Sequence, residues 1–365
     1  MRKLLVVLAA VFALVSVSRS QQIVENPAKP TSISAGRVVK LENLLSIKDD
    51  GEKNPLRGPY DIQLGHDGSI YFYDNFEFFK FSPEGKFIFK VVRSGQGPGE
   101  AQRRTAAVVR DDQIIIQAWS PPKVMWFDQS GGLKAEKRTD NFRLYSSIFM
   151  AKGSLFGFRE GELVPSPEVK EGYIDIPTSL DEIAPDFAKR TEKISFPIEN
   201  YVARGGGAWW QSLFLEYVMK DEKTLFISHT VNYKLWKYDL GLNKIEMTFQ
   251  REYQRIPRPP EKKASQRPGM MSPPPRKYRL DISTLLIYGN RLWVVTSTRD
   301  SKGNRLVDVY DTDGHYIDNF YLQYPEGLSH EYFSSSDVTI AGDFLYSIDE
   351  EKDGTMSVNK YRILD

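Results

Sequence analysis

The sequence contains no cysteine among its 365 residues. Disulfides, thiolate metal sites, a cysteine nucleophile and a lipid-modified N-terminal cysteine are therefore excluded. A chain without these features must be stabilised by its hydrophobic core, which a chain of this length can supply.

An excess of charge of one sign is also lacking, because 49 Lys and Arg residues balance 48 Asp and Glu residues. The chain as a whole is therefore not built to bind polyanions, and we expect no nucleic-acid partner.

Long hydrophobic runs are absent except at the start of the chain. Positive charge in residues 1–3 precedes an almost entirely apolar stretch over 4–17, and Ser18 and Ser20 follow before Gln21. This order predicts a signal peptide over 1–20, because the apolar stretch is too short to span a bilayer comfortably. The alternative is an N-terminal anchor. We expect an exported protein, periplasmic or extracellular, with no transmembrane segment in the mature chain, a linker over 21–33 and one domain over 34–365.

One short pattern recurs six times along the chain: a turn rich in Gly or Asp, a small or polar residue, and then large apolar residues. The copies lie at 66–74, 110–118, 151–159, 220–229, 288–296 and 341–349. Turns of this kind join neighbouring antiparallel strands. Each copy therefore predicts the first hairpin of a repeated unit.

A second pattern, an aromatic residue followed by a polar turn that usually ends in Gly, comes after several of these copies. It begins at Phe81, Phe127, Tyr238 and Tyr310. The two patterns together predict four strands in about 40–45 residues, which is the spacing of propeller blades. We therefore predict an all-β fold, a six-bladed β-propeller with four-stranded blades.

The two ends of this domain are expected to meet. The last segment, 356–365, is similar to the third strand of a unit, so the sixth blade lacks its outer strand. The strand-like run at 36–47 has no other assignment and is predicted to supply that strand. This pairing closes the ring and hides strand edges that would otherwise invite aggregation.

The segment 61–100 contains the clearest unit and ends in GQGPGE at 95–100. It resembles the NHL-type repeat of six-bladed propellers, and the GQGPGE element is typical of secreted bacterial members of that group. The resemblance is partial in the second, fourth and fifth units and poor in the third and sixth. It implies the fold and says almost nothing about activity.

The glycines Gly95, Gly97 and Gly99 fit neither of the common phosphate-binding loops, since Glu100 stands where a third glycine is required and no Lys-Ser/Thr pair follows. Both loops also require a helix next, and the following residues read as a strand. We therefore interpret 95–100 as a connection between blades. Backbone N–H groups with Arg93 remain an alternative anion site.

In a propeller, the loops between blades and those between second and third strands lie on one side, here called the channel-mouth face. The six second strands are predicted to end on this face, at Asp74, Ala118, Arg159, His229, Thr296 and Asp349. The candidate ligand-binding residues are Asp74, Arg93, Arg159, Trp210, His229 and Asp349. The alternatives are that Asp74 and Asp349 cap turns and that His229 is solvated or already hydrogen-bonded.

Two insertions, at about 160–208 and 251–279, are predicted on the same face. Trp209 and Trp210 follow the first and could stack on a sugar or a peptide. The second, here called the basic arm, has nine Lys or Arg, two Glu and many prolines. Polyproline segments bind partner grooves at little entropic cost, and the alternative is a solvated disordered loop.

These features predict a non-catalytic, monomeric binding propeller that recognises a peptide, a glycan or a partner protein without a cofactor. The alternative is a metal-dependent hydrolase or lyase, because six-bladed propellers include calcium lactonases and a zinc lyase with the metal in the central channel. Calcium would need oxygen ligands, for which the candidates are Asp74, Asn75, Asn232, Asp349 and Glu350. A three-histidine zinc site is not expected, because only two of the four histidines, His229 and His330, are predicted on the channel-mouth face.

Overall fold

The computed structural model describes residues 22–49, 56–102, 106–110, 112–139, 145–161, 168, 170–202, 209–210, 215–259, 276–326, 328–329 and 336–364. Their regular structure is entirely β-strand, which confirms the all-β prediction. No helix able to span a membrane is found in these ranges. The predicted signal peptide at 1–20 lies outside them.

The first half of the chain contributes fifteen strands. They are β1 (Gln22–Asn26), β2 (Arg37–Lys48), β3 (Pro59–Leu64), β4 (Ile70–Asp74), β5 (Glu77–Phe81), β6 (Phe87–Ser94), β7 (Glu100–Ala101), β8 (Ala106–Val109), β9 (Ile114–Trp119), β10 (Pro122–Phe127), β11 (Leu133–Arg138), β12 (Ser147–Ala151), β13 (Ser154–Glu160), β14 (Gly172–Ile183) and β15 (Arg190–Val202).

The second half contributes thirteen. They are β16 (Trp209–Trp210), β17 (Leu215–Met219), β18 (Thr224–His229), β19 (Lys234–Asp239), β20 (Lys244–Arg251), β21 (Ile282–Tyr288), β22 (Arg291–Arg299), β23 (Arg305–Tyr310), β24 (Tyr316–Gln323), β25 (Leu328–Ser329), β26 (Val338–Ala341), β27 (Phe344–Glu351) and β28 (Met356–Leu364).

Four of the sheets follow the chain in simple order. They run β3 to β7, β8 to β11, β12 to β16, and β17 to β20 with β1 added at the outer edge. The strands β3, β8, β12, β17, β21 and β26 all line one cavity of about 380 Å³. Sheets arranged around a common cavity in this way form a propeller-like architecture.

The fifth sheet has nine strands, and β2 lies in its middle. The predicted pairing of the N-terminal run with the C-terminal strand is present, since β2 is antiparallel to β28 with Leu41 opposite Ile363. The first residues of β2 also run parallel to β24, with Arg37 opposite Phe320. Six separate sheets were predicted and five are found, because β2 joins β21–β24 and β26–β28 into one.

The hydrophobic core consists of six clusters, each between one four-stranded group and the next. The aromatic residues that open the second sequence pattern are almost completely buried in the structure, namely Phe81, Phe127, Tyr238 and Tyr310. Flat rings fill the space between stacked sheets well, which explains their recurrence at the ends of third strands. One cluster joins the last group to the first through Ile348 and Phe72.

The segment 22–48, here called the N-terminal strap, crosses the outer edges of three groups. In it, β1 runs parallel to β20, although the sequence predicts a linker at 21–33. The Asn26 amide donates to the carbonyls of Gly314 (2.8 Å) and Gln250 (3.3 Å), and its oxygen accepts the Tyr316 N–H at 2.8 Å. Asn26 therefore links the strap to two neighbouring groups at once.

The predicted insertion at 160–208 is largely regular structure. Its centre forms β14 and β15, the third and fourth strands of their sheet. The last pair between β13 and β14 is Glu160 with Thr178, so within the described ranges residues 172–177 pair only with 197–202 of β15. This two-stranded part, here called the β14–β15 extension, projects on the channel-mouth face beyond the end of β13.

Candidate functional site

The GQGPGE loop is folded around carboxylates of its own chain. The Gly97 N–H donates to Glu100 and the Gly99 N–H donates to Glu136, each at 2.9 Å. A Cβ placed on Gly95 would lie 2.0 Å from Glu100 Oε2, so a larger residue there would displace the Glu100 carboxylate from its place in the loop. Because two of the loop N–H groups are already engaged, we do not retain the alternative in which these backbone groups hold an anion. The side chain of Arg93 is exposed.

Asp74 caps the turn that leads into β3. Its carboxylate accepts the backbone N–H groups of Gly58 (2.7 Å) and Arg57 (3.1 Å), and the residue is buried. Burial raises the pKa of Asp74, while these two N–H donors act in the opposite direction. The carboxylate serves the turn, so the proposals below do not use it as a ligand contact.

Asp349 is likewise internal. Its carboxylate accepts hydrogen bonds from Ser347 (2.7 Å), Asn359 (2.6 Å) and the Tyr361 hydroxyl, and it has no solvent exposure. Burial raises the pKa of Asp349 to about 6. The group connects β27 to β28 and does not face the channel mouth.

We expect Asp349→Asn to remove a pH-dependent loss of stability. The pKa of Asp349 is about 6 in the fold against 3.8 unperturbed, so the folded chain retains a proton that the unfolded chain loses. The free energy of unfolding therefore falls as the pH rises from 4 through 6, by at most about 3 kcal/mol. Asn resembles the protonated acid at every pH.

Urea unfolding at pH 4.5 and pH 7.5 measures this effect. The stability of Asp349→Asn relative to the wild type should improve by about 2 kcal/mol between the two pH values. The control is Asp353→Asn in an exposed turn. An equal difference at both pH values would show that the carboxyl of Asp349 is ionised throughout.

Arg159 lies in a charge network within its own sheet. Its guanidinium donates to Asp181 at 2.7 Å and to Glu192 at 3.2 Å. The hydrogen bond to Asp181, which is fully buried, raises the pKa of Arg159. The network ties β13, β14 and β15 together and accounts for the charge of Arg159 without a ligand.

His229 ends β18 beside the β14–β15 extension. Burial lowers the pKa of its imidazole, while Asp175 and Glu199 of the extension act in the opposite direction. Its Nδ1 atom is buried and has no hydrogen-bond partner within the described ranges. The ring centroid lies 6.5 Å from that of Trp236. The neutral imidazole therefore retains one unused polar atom on the channel-mouth face.

Arg276 joins the β14–β15 extension to the basic arm. Its guanidinium is ion-paired with Glu199 and lies 4.2 Å from the centroid of the Tyr173 ring. The arm has a paired stem, because Pro257 bridges Tyr278 and the Arg258 N–H donates to the Lys277 carbonyl at 3.0 Å. The two predicted insertions therefore meet next to His229.

The ends of the basic arm are less free than the sequence predicts. Arg251 is buried against Asp308, with Nη2 at 2.5 Å from the carboxylate, and Arg255 pairs with Asp281 at 3.1 Å. Charges in these pairs are neutralised by the body of the protein. Residues 260–275, the middle of the arm, lie outside the described ranges.

The six predicted site residues do not form one cluster. Asp74 and Arg93 lie in the β3–β7 sheet, Arg159 lies in the β12–β16 sheet, and Asp349 lies in the nine-stranded sheet. Trp210 pairs with Tyr201 through β16, so its backbone lies at the extension, and its side chain is outside the description. Ala118 and Thr296, the remaining strand ends, are buried. His229 and Trp210 are thus the two predictions nearest the extension.

Sequence reasoning missed three residues of the β14–β15 extension, namely Tyr173, Asp175 and Glu199. The run from 173 to 180 alternates large apolar and smaller or polar residues, which is typical of a strand with one buried face. That alternation could have identified β14 within the predicted insertion.

The central cavity offers a different kind of site. Asp61 lies on the wall of this cavity, and its backbone has φ 58°. Its carboxylate accepts a hydrogen bond from the Gln63 side chain at 3.3 Å. In the part of the chain that the structure describes, no three His, Asp or Glu side chains converge as a metal site requires. No observation therefore favours the predicted calcium lactonase alternative, and we do not propose it.

Comparisons with known proteins bear on the fold alone. No family model matches the chain, and no curated protein matches it. A candidate exported protein of Bacteroides fragilis is similar in structure, with TM-score 0.57, 13% identity, and 94% of this chain and 100% of that chain covered. A member of the DUF4221 family from Bacteroides vulgatus gives TM-score 0.54, 11% identity, and coverage of 89% and 98%.

A gluconolactonase from Xanthomonas campestris is a weaker structural match, with TM-score 0.43, 11% identity, and coverage of 87% of this chain and 98% of that one. A similarity at this level carries no argument about activity. The stronger matches agree with a propeller-like arrangement, and the NHL resemblance stays a prediction.

Proposed function

We propose that the protein is an exported, non-catalytic binding propeller that holds an extended peptide segment of a partner on the channel-mouth face. The site lies between the β14–β15 extension and the stem of the basic arm. One observation carries the proposal: both insertions meet at Arg276, which is ion-paired with Glu199 and lies against the Tyr173 ring.

The edge of β14 that faces away from β15 favours a peptide as the ligand. Residues 172–176 of β14 pair with β15 on one side, and no strand of the described ranges pairs with their other side. A peptide can add to such an edge through main-chain hydrogen bonds, with pockets for alternate side chains giving specificity. Tyr173 offers a half-buried ring at this edge.

The charge at the site favours a basic peptide. Asp175 is exposed on the extension, and Glu199 pairs with Arg276 of the same chain. The arginine side chain held between a carboxylate and the Tyr173 ring shows the chemistry that the extension accommodates. A Lys or Arg of the partner would find the same chemistry at Asp175.

Selection of peptides from a displayed library on the immobilised protein tests this proposal. We expect the selected peptides to be extended and enriched in Lys and Arg. Asp175→Asn should weaken their binding five- to tenfold, about 1 kcal/mol, which is typical of an exposed charge pair. The matched control is Asp186→Asn, an exposed acid in the turn at the other end of the same two strands.

Peptides carrying N-methyl groups at alternate residues provide a second probe, because they cannot form one row of main-chain hydrogen bonds. They should bind much more weakly if strand addition is the mode. Equal affinities for Asp175→Asn and Asp186→Asn, or no loss with N-methylated peptides, would contradict this site.

We also propose that the nine-stranded sheet comprises a fifth and a sixth blade, closed by β2, as in propellers of the NHL type. The six interlocking clusters and the six strands around one cavity support this count. Export through a signal peptide at 1–20 is part of the same proposal, and it agrees with the similarity to a candidate exported protein.

A further inference from the structure

Two large aromatic side chains are exposed at turns on the channel-mouth face of the first two sheets. The exposed fractions are 39% for Phe76, between β4 and β5, and 55% for Trp119, at the end of β9. Phe76 has φ 72° and the preceding Asn75 has φ 47°. A bulky residue rarely adopts this backbone conformation, and Gly would adopt it without strain. An exposed ring is thus present at a conformational cost.

Hydrogen bonds connect these two turns across the GQGPGE loop. Glu77, next to Phe76, accepts the Ser94 N–H at 3.4 Å. The exposed amides of Gln96 and Gln102 bond to each other at 3.0 Å, and the Gln102 N–H donates to the Ser120 carbonyl at 2.7 Å. The loop therefore fixes two exposed amides between two exposed rings. We call Phe76, Gln96, Gln102 and Trp119 the aromatic–amide strip.

We propose that the aromatic–amide strip binds a polysaccharide chain that carries carboxylates. Sugar rings present flat faces of C–H groups that pack against aromatic rings. They also carry hydroxyl groups along their edges. A side-chain amide both donates and accepts, so it suits hydroxyl groups better than it suits an apolar ligand. Two amides placed between two rings therefore suit a sugar chain, which presents both apolar faces and hydroxyl groups.

The charge at the strip supports an acidic chain. Arg93, adjacent to Ser94, is exposed and has no ion pair among the described residues. The nearby Glu77 is already paired with Lys90 at 2.7 Å. Glu100, opposite Arg93 in the β6–β7 pair, turns its carboxylate into the loop, where it accepts the Gly97 N–H. The exposed guanidinium of Arg93 is therefore the charge at the edge of the strip that the carboxylate of a uronic acid would complement.

A second protein is a poorer fit to this surface. Stable protein interfaces bury about 800 Å² on each partner around a fully desolvated apolar centre. The strip instead has polar amides at its centre and rings at its ends. This surface is also separate from the proposed peptide site, which lies on β14, so either proposal can fail without the other.

Native gel electrophoresis of the protein without residues 1–20 provides the test. The gels contain polygalacturonate or alginate as acidic probes, or xyloglucan as a neutral probe. We expect retardation by at least one acidic polysaccharide and none by xyloglucan. Trp119→Ala should weaken binding at least tenfold, and Arg93→Gln about threefold to tenfold. The control is Leu242→Ala, which removes an exposed apolar residue from a turn on the opposite face.

Phe76→Gly separates binding from folding. Gly suits the φ of 72° at this position, so this variant should unfold at a temperature equal to or above that of the wild type. Its binding to the acidic probe should nevertheless be several-fold weaker. A purely structural role for Phe76 would instead leave binding unchanged.

Three results would overturn the proposal. The first is the absence of retardation by both acidic polysaccharides. The second is equal retardation of the wild type and Trp119→Ala, and the third is equal retardation by neutral and acidic chains. A protein partner whose capture depends on Trp119, without binding of either acidic probe, would reassign the strip as a protein-docking surface.

Discussion

Asp308→Ala is expected to lower the free energy of unfolding by about 3–5 kcal/mol, because it leaves a buried charge without its partner. Asp308 has no solvent exposure and accepts two hydrogen bonds from Arg251, at 2.5 and 2.9 Å. The hydroxyls of Tyr233 and Tyr316 donate to the same carboxylate at 2.6 and 2.8 Å. Removing Asp308 therefore leaves Arg251 without its counter-ion and two hydroxyls without the carboxylate that accepts their hydrogen bonds, between two groups of strands.

Urea unfolding at neutral pH measures this loss. Asp313→Ala, in an exposed turn shortly after β23, serves as the matched control and should change stability by less than about 0.5 kcal/mol. The double variant Arg251→Leu with Asp308→Leu should recover part of the loss, because it leaves no buried charge. A loss below about 1 kcal/mol for Asp308→Ala would mean that water reaches Arg251 when its partner is absent.

Deleting residues 22–48 is expected to prevent folding. The N-terminal strap buries Val39, Leu41 and Ile47 almost completely. Three such side chains contribute about 5–9 kcal/mol, which is comparable to the whole stability of a typical domain. The deletion also exposes the edge of β28, which pairs with β2 from Lys40 to Lys48.

A shorter deletion, of residues 22–26, separates the two parts of the strap. It removes β1 and the hydrogen bonds of Asn26 but leaves β2, so we expect a folded protein that is less stable by about 2 kcal/mol. Circular dichroism and thermal melting distinguish the two variants. A cooperative transition at the wild-type temperature in the longer deletion would contradict the role given to β2.

The turn pattern and the buried aromatic residues made the repeated unit visible in the sequence. Each of the six copies contains most or all of a second strand, from β4 to β27, because local turn chemistry and alternation determine a hairpin. The pairing of β2 with β28 was predictable for a different reason. A last unit one strand short, together with an unassigned strand-like run, leaves few ways to cover the exposed edge.

Other parts depend on contacts that no local pattern encodes. The parallel pairing of β1 with β20 brings together residues far apart in sequence, and Gln22–Asn26 is mostly exposed, so its hydrophobic signal is weak. The same limit applies to the site. Arg251 lies in a segment whose composition predicts a solvated basic arm. It is buried because it forms an ion pair with Asp308, which is distant in sequence.

The candidate ligand residues show why a charged strand end is an ambiguous signal. Asp74 and Asp349 end second strands, as predicted, yet backbone and side-chain donors of the protein itself occupy their carboxylates. A sequence shows that an acid is present but not whether its partner is internal. By contrast, Trp119 and Phe76 are aromatic residues at turns, and 55% and 39% of these side chains stay exposed.

The position of β2 also governs the order of events in biosynthesis. Its main partner, β28, lies about 300 residues later, so β2 must wait during synthesis until that much more of the chain has been made. Contacts this distant in sequence slow folding, and the chain remains incompletely folded throughout its synthesis. An unfinished chain is the form that can be threaded across a membrane. If the protein is exported as we propose, the connection that stabilises the finished fold also keeps the chain unfinished while it crosses the membrane.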